Sequence, residues 1–166
     1  MNDRVEPAPA IRTAVAADLP ALRQVYRAAS LSNAGDAPML LARPEFLVFA
    51  GDGIAAGRTL VALAGAPGEE QVVGFATVAS GQNDGLELED LFVDPGWRRR
   101  GIARTLVRRI VETARGAGHR RLWVIGNPHA LAFYVAAGFV QVDEISTVLG
   151  TGLRMVLDLS RVRDRP

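Results

Sequence analysis

The sequence predicts a single α/β domain in which a mixed sheet carries helices on its faces. The first observation is size, because 166 residues with 49% hydrophobic composition suit one domain with a sizeable core. The second is a pair of strand-like segments, residues 58–64 and 71–79, that flank a turn containing Gly and Pro. The third is the succession of strand, helix, strand and helix patterns across residues 86–137, which is typical of α/β domains.

The first third of the chain is predicted to supply one strand and one helix. Residues 1–10 are polar and contain proline, so we expect a flexible tail, and residues 11–15 fit a short edge strand. An apolar pattern of helical period follows, and Asp18 is placed to cap the helix that this pattern predicts. Residues 36–57 hold an apolar cluster that predicts one or two helical turns.

The second half of the chain has the clearest pattern. Residues 86–93 alternate roughly between apolar and polar side chains, which predicts a strand. An apolar stripe at helical spacing across residues 102–114 predicts a long helix. A buried strand is expected at residues 121–125, and a short helix should follow, with Asn127 at its N-cap and Pro128 in its first turn.

The last predicted elements close the domain. Residues 140–145 and 153–159 are expected to form a final pair of strands. We therefore place the domain at residues 11–160, after the tail and before a charged C-terminal tail at residues 161–166.

The turn before the long helix has the composition of a phosphate-binding site. The first N–H groups of a helix have no partner inside it and the macrodipole is positive there, so an anion is favoured. Gly101 allows the backbone to approach a ligand closely, and Ala103 adds only a methyl group. Positive charge and forked donors come from four arginines: Arg98, Arg99, Arg100 and Arg104.

Two short motifs stand out in this half of the chain. The first is Arg98-x-x-Gly101-x-Ala103, which follows the acidic strand. The second is Asn127-x-x-Ala130-x-x-Phe133-Tyr134, followed by Gly138-Phe139. In order and spacing they resemble the cofactor motifs of the GNAT N-acetyltransferase superfamily, whose acyl-coenzyme A signature is written Q/R-x-x-G-x-G/A. The resemblance covers the second half of the chain well and the first half in outline.

This resemblance implies a fold and a cofactor site. The implied fold is a GNAT-like, mixed and mostly antiparallel sheet with helices on both faces, whose central strands, residues 86–93 and 121–125, splay apart. The wedge between them exposes backbone groups that can bond the pantetheine arm of acetyl-coenzyme A, the implied acetyl donor. The implied cofactor-binding residues are Leu91, Phe92, Val93, Arg98, Arg99, Arg100, Gly101, Ile102, Ala103, Arg104, Asn127, Ala130, Phe133 and Tyr134.

Three carboxylates on the central strand are candidates for a proton acceptor: Glu87, Glu89 and Asp90. Amine acetylation needs such a group, because an alkyl amine with a pKa of about 10 is mostly protonated near neutral pH. Ideal alternation places Glu87 and Glu89 on one face and Asp90 on the other, and a bulge would change this. The resemblance favours Glu89 over Glu87. The alternative is that these carboxylates are merely exposed on the strand or pair with the arginines.

Tyr134 occupies the family position of the acid that protonates the leaving thiolate. A thiolate with a pKa of about 8.5 can be protonated by a phenol with a pKa of about 10. The alternative is a core tyrosine, because Leu131, Tyr134, Val135 and Gly138 share helical spacing. The candidate catalytic residues are therefore Glu89, Tyr134 and Glu87.

Other classes of protein find no support in the sequence. The chain has no cysteine, which excludes disulfides, thiolate metal sites and a cysteine nucleophile, and we expect no bound metal. A net charge of +1 argues against a general binder of nucleic acid. No apolar run is long enough to span a membrane, so we expect no membrane association and a cytoplasmic location. Dinucleotide, P-loop, zinc-protease and serine-hydrolase motifs are absent.

The sequence therefore predicts an enzyme, an N-acetyltransferase. It would move acetyl from acetyl-coenzyme A to an amine of a small molecule or peptide, by direct attack in a ternary complex. The alternative is a non-catalytic acyl-coenzyme A binding domain that senses or regulates. The expected partners are acetyl-coenzyme A and the amine acceptor, with no nucleic acid and no membrane, and a homodimer is left open.

Overall fold

Seven strands form one sheet within the part of the protein that the computed structural model describes, residues 7–81 and 85–160. They are β1 (Ala10–Thr13), β2 (Thr59–Ala64), β3 (Gln71–Ser80), β4 (Leu86–Val93), β5 (Arg121–Gly126), β6 (Val140–Thr147) and β7 (Gly150–Asp158). Their order across the sheet is β1-β2-β3-β4-β5-β7-β6. Every neighbouring pair is antiparallel except β4 and β5, which are parallel. The predicted mixed and mostly antiparallel sheet is confirmed.

Five α-helices connect the strands within these residues. They are α1 (Leu19–Leu31), α2 (Ala37–Ala42), α3 (Asp52–Ala55), α4 (Ile102–Gly116) and α5 (Leu131–Ala136). Residues 36–57 hold three short helical stretches, α2, a 3₁₀ turn at Pro44–Leu47 and α3, instead of the one or two turns expected. After Asn127 the predicted helix is divided into a 3₁₀ turn, Pro128–Ala130, and α5. None of the helices in this part of the chain is long and apolar enough to cross a membrane.

Helices cover both faces of the sheet, as predicted. On one face α4 buries its apolar stripe, which consists of Ile102, Leu106, Val107, Ile110 and Ala114. On the other face α1 buries Leu22 and Val25 against Val61 and Phe75. The stripe of each long helix therefore fixes it against the sheet, and the two helices enclose β3 and β4 from opposite sides.

The two central strands diverge along their length. β4 and β5 pair only through Leu86 with Leu122, Glu87 with Trp123 and Leu88 with Val124. Beyond these pairs, β5 ends after two more residues, whereas β4 continues through residues 89–93 with no strand on that edge among the described residues. The implied splay between the central strands is confirmed.

Asp18 occupies the N-cap position of α1, as predicted, but its side chain makes no capping hydrogen bond to that helix. Asp18 ends a 3₁₀ turn, and its carboxylate accepts hydrogen bonds from the Arg12 guanidinium at 2.7 and 2.9 Å and from the Val15 N–H at 2.8 Å. The bonds from Arg12 are the main cause that lowers the pKa of Asp18, and the bond from Val15 acts in the same direction. The carboxylate therefore ties β1 to the segment that enters α1 and leaves the helix N-terminus without a side-chain cap.

The predicted limits of the domain are only partly open to comparison. Ala10 belongs to β1, so the strand begins inside the segment expected to be a tail. Residues 1–6 and 161–166, which carry most of the two predicted tails, lie outside the described residues. The division of the chain into tails and a domain at residues 11–160 stays a prediction.

The last two strands form a longer hairpin than predicted. β6 extends to Thr147 and β7 begins at Gly150, so only Val148 and Leu149 separate them. Thr147 stabilises this turn, because its hydroxyl donates to the Gly150 carbonyl at 2.7 Å and accepts from the Leu149 N–H at 3.2 Å. The pairing of β6 with β7 therefore continues to Thr147 and Gly150, two residues beyond the strand end predicted at residue 145.

Candidate active site

A cleft of about 1310 Å³ opens where β4 and β5 diverge. It is lined by residues of both strands, of the turn before α4, of α1, α2 and α5, and of the β6–β7 hairpin. Thirteen of the fourteen sequence-predicted cofactor-binding residues line it: Leu91, Phe92, Val93, Arg98, Arg99, Gly101, Ile102, Ala103, Arg104, Asn127, Ala130, Phe133 and Tyr134. The exception is Arg100, whose guanidinium lies 4.5 Å from the centroid of the Trp97 ring.

The turn before α4 has the backbone of an anion-binding site. Gly101 is the N-cap of α4 with a φ of +76°, a left-handed conformation that glycine adopts without strain. A Cβ built on Gly101 would meet no atom within 4 Å, so the space beside it is open to a ligand. Arg99 also has a positive φ, +63°, which costs a residue with a side chain about 1–2 kcal/mol. The open, positively charged start of α4 fits a diphosphate.

Two residues of the predicted cofactor motifs contact the connection between α1 and α2. The Arg98 guanidinium donates a hydrogen bond to the Ser32 hydroxyl, and the Asn127 amide donates to the Asp36 carboxylate at 3.3 Å. The Asn127 amide oxygen also accepts from the His129 N–H at 2.9 Å, which is the capping interaction predicted. The α1–α2 connection therefore lies beside both motifs, an arrangement that no local pattern indicated.

Glu89 is the extra residue of a β-bulge in β4. In the ladder with β3, Asp90 pairs with Thr77 and Leu88 pairs with Val78, so Glu89 is left without a partner. Its side chain is 45% exposed and lines the cleft. Bulges of this kind redirect a side chain beside an active site.

The bulge also changes which carboxylates share a face of the sheet. Leu88 and Leu91 both pack on the α4 side, although simple alternation would place them on opposite faces. Glu87 and Asp90, which neighbour them, consequently lie on the opposite face from α4. The ideal alternation that paired Glu87 with Glu89 is therefore wrong here, and Glu89 alone of the three carboxylates lines the cleft.

Asp90 has the most perturbed environment of the three carboxylates. Burial is the largest cause that raises the pKa of Asp90, and the charge of Glu89 acts in the same direction. Hydrogen bonding to Thr77 and the charge of Arg58 lower it, and the net shift is upward. The Arg58 guanidinium also donates to the Val78 carbonyl at 2.8 Å and lies 3.5 Å from the Glu89 carboxylate. Sequence reasoning missed Arg58, because no local pattern joins it to β4.

Tyr134 is both a core residue and a cleft residue. It is 7% exposed, and its ring packs edge-on against Phe133 and Phe139, with centroids 5.2 and 5.4 Å away. A Cβ on Gly126 would lie 3.0 Å from the Tyr134 ring, so the glycine at the end of β5 is what admits the ring there. Burial raises the pKa of Tyr134 to about 12, which corrects the ordinary value assumed from the sequence. The phenol is therefore harder to ionise than that of an exposed tyrosine.

One wall of the cleft is formed by α1, and the sequence did not predict this. Tyr26 lines the cleft, its ring meets Phe92 edge-on at 4.8 Å, and its hydroxyl donates to the Phe46 carbonyl at 2.8 Å. Burial and, secondarily, the charge of Asp90 raise the pKa of Tyr26. Its helical spacing resembles that of a core residue, so the sequence alone carried no signal for a place in the cleft.

Comparison with known proteins gives three points of similarity. Streptothricin acetyltransferase of Streptomyces lavendulae is 44% identical over 86 residues, which cover 49% of this chain and 44% of that protein. PaiA N-acetyltransferase of Thermoplasma acidophilum, solved with coenzyme A, has a TM-score of 0.68 and 18% identity over 92% of this chain and 99% of that one. YncA of Salmonella typhimurium, solved with acetyl-coenzyme A, has a TM-score of 0.65 and 22% identity over 96% of this chain and 99% of that one.

The matches cover different shares of the proteins that are compared. The chain spans between 30% and 46% of the length of the curated relatives that it matches. At 18% and 22% identity, the two solved structures show a shared fold. The family model described as "Acetyltransferase (GNAT) family" matches residues 19–139, which include most of the sheet, α4 and both motifs. The chain therefore belongs to the GNAT acetyltransferase family.

Proposed function

We propose that this protein is an N-acetyltransferase that moves acetyl from acetyl-coenzyme A to an amine of a small molecule or peptide, by direct attack within a ternary complex. The observation that carries the proposal is a single cleft shared by the wedge between β4 and β5 and by the N-terminus of α4. The wedge offers backbone hydrogen-bonding groups and the helix offers an anion site. These are the two features that a pantetheine arm and a diphosphate require.

The proposed donor site is divided between the turn and the wedge. The N–H groups of Ile102 and Ala103 and the open space at Gly101 suit the diphosphate. Arg98, Arg99 and Arg104 line the same cleft and supply positive charge. Backbone groups of residues 91–93 are proposed to bond the pantetheine arm. When bound, acetyl-coenzyme A supplies an acetyl group activated as a thioester.

Glu89 is the proposed proton acceptor for the attacking amine. An ammonium ion has no free electron pair, so its proton must leave before the nitrogen can attack. Glu89 is the carboxylate of β4 that lines the cleft, and the bulge is what directs it there. Glu87 lies on the face opposite α4 and outside the cleft lining, so the proposal assigns it no catalytic role.

Tyr134 is the proposed hydrogen-bond donor to the leaving sulfur. It lines the cleft beside Gly126 and retains its proton, because burial raises its pKa to about 12. Full proton transfer to a thiolate with a pKa of about 8.5 is less favourable from this phenol than from an exposed one. The proposed role is therefore stabilisation of the negative charge that develops on sulfur, with transfer as the sulfur departs.

The proposal is tested by thiol release from acetyl-coenzyme A with a panel of amine acceptors. The panel contains polyamines, aminoglycosides, amino acids, peptides and streptothricin, the compound named in one relative. We expect release that depends on one class of acceptor and falls roughly 100-fold, to a rate that is still measurable, in Glu89→Gln. Tight binding of acetyl-coenzyme A by calorimetry, with no release on the whole panel, would instead favour the non-catalytic sensor.

Two further expectations from the sequence stay predictions. A cytoplasmic location is proposed for the enzyme, and cell fractionation would test it. The homodimer left open by the sequence is tested by measuring the mass of the protein in solution by light scattering.

A further inference from the structure

A row of three polar residues, two of them buried, lies beside the bulge of β4. Thr59 and Thr77 pair across the β2–β3 ladder, both are buried, and their hydroxyl oxygens are 3.0 Å apart. Thr77 also pairs with Asp90 across the β3–β4 ladder, so the two side chains lie next to each other on the same face of the sheet. Three neighbouring strands therefore carry one continuous row, Thr59, Thr77 and Asp90, that ends immediately beside Glu89.

The backbone of α3 covers this row at Gly53. A Cβ on Gly53 would lie 2.7 Å from the Thr77 methyl carbon and 2.9 Å from the Thr59 hydroxyl oxygen, so a larger residue does not fit without a shift. The glycine lets the helix approach closely and keeps both threonines from solvent. Hydrogen bonds in such a position are stronger than at the surface, because the local dielectric is low.

The bulge has a second anchor at Arg58. The Arg58 guanidinium joins the Val78 carbonyl to the Glu89 carboxylate, and the Arg58 carbonyl accepts from the Val78 N–H at 3.1 Å. This anchor is partly exposed, with 35% and 45% of the Arg58 and Glu89 side chains accessible, so it is the weaker of the two. The anchor formed by the buried threonines and the half-buried Asp90 is therefore the one that fixes the backbone.

We propose that Asp90 is a positioning residue of the reaction: paired with Thr77, whose hydroxyl lies against that of Thr59, it locks the bulge in register and so keeps the Glu89 carboxylate in the cleft. This inference rests on the proposed function. A shift of one residue turns every side chain of a strand to the other face, so a bulge that slips carries Glu89 out of the cleft.

The experiment is a double-mutant cycle between Asp90→Ala and Glu89→Gln, measured with an acceptor that the wild-type protein acetylates. Asp90→Ala alone is expected to lower kcat by about 10-fold or more while the KM for acetyl-coenzyme A stays within about twofold. In the Glu89→Gln background, Asp90→Ala is expected to have no further effect, because it acts through Glu89. Additive effects on kcat would overturn the inference.

A second pair of variants tests the anchor without removing Asp90. Thr77→Val keeps the shape of the side chain and loses the hydroxyl, so we expect a similar fall in kcat, whereas Thr77→Ser keeps the hydroxyl and should keep most of the activity. Asp52→Ala removes an exposed carboxylate of α3 that lies outside the cleft lining, and it should retain wild-type kcat. Thr77→Val with wild-type kcat would overturn the inference even if Asp90→Ala does not fold.

The failure of this inference differs from the failure of the proposed function. A wild-type protein that acetylates none of the amines overturns the proposed function, and the inference falls with it. An active wild-type protein in which Asp90→Ala and Glu89→Gln are additive, or in which Thr77→Val is fully active, overturns the inference alone.

Discussion

Two glycines at the opposite ends of α4 give a matched test of the proposed diphosphate site. Gly101 precedes the helix with a φ of +76°, and Gly118 follows it with a φ of +84°. A Cβ at either position would meet no atom within 4 Å. Replacement by alanine therefore imposes the same backbone strain at both sites and no steric clash at either.

The expected effect on stability is equal in the two variants. An alanine in the left-handed region costs about 1–2 kcal/mol relative to glycine. For a domain of this length, each kcal/mol lowers the melting temperature by roughly 2–4 °C. Gly101→Ala and Gly118→Ala should therefore both melt a few degrees below the wild-type protein, as differential scanning calorimetry would measure.

The expected effect on donor binding is confined to one variant. The methyl group of Gly101→Ala enters the open space beside the N–H groups that begin α4, so we expect binding of acetyl-coenzyme A to weaken at least about 10-fold, or 1.4 kcal/mol. Gly118→Ala should bind as the wild-type protein does in isothermal titration calorimetry. Equal dissociation constants for the two variants would refute the placement of the diphosphate at the start of α4.

Three further predictions concern single side chains. Tyr134→Phe should lower turnover by roughly 100-fold and leave the affinity for acetyl-coenzyme A largely intact, so unchanged turnover in a thiol-release assay would remove Tyr134 from the mechanism. Arg12→Ala should reduce the free energy of unfolding by about 0.5–1 kcal/mol near neutral pH. Because Arg12 lowers the pKa of Asp18, that contribution is present above the ordinary value of 3.8 and is lost as the pH falls through the lower folded value, so urea titrations at several pH values should converge in acid. Gly53→Ala should destabilise the protein by about 1–3 kcal/mol, since its Cβ would lie 2.7 Å from Thr77, and an unchanged urea midpoint would contradict this packing.

The elements that were correctly predicted are those whose pattern is local. β4 occupies the predicted residues, and α4 begins where its apolar stripe begins, because each element shows one strong periodicity that a turn interrupts. The capping Asn127 was predictable for the same reason, since asparagine before a helix has a direct local use. For Gly101 the sequence predicted a close approach of the backbone to a ligand, and the structure adds its left-handed conformation.

Features that depend on contacts across the fold were not predictable. Asp18 lies at the N-cap of α1, but its carboxylate accepts hydrogen bonds from Arg12 of β1 instead of from the first N–H groups of the helix. The bulge at Glu89 is set by the pairing of β3 with β4, which alternation within one strand does not reveal. The pKa of Tyr134 follows from burial beneath neighbouring rings, which only the folded chain determines.

The short pairing between β4 and β5 limits how firmly the two parts of the sheet are held together. The sheet consists of two parts, β1–β4 and β5–β7, which are joined through three residue pairs. The buried stripe of α4 belongs to one apolar cluster that includes Val73 of the first part and Leu122 and Met155 of the second. The three pairs and this shared cluster therefore resist sliding of one part of the sheet past the other. A ligand that binds between β4 and β5 and contacts both parts would add a further connection between them. Its binding would therefore stabilise the whole sheet, including residues that it does not contact.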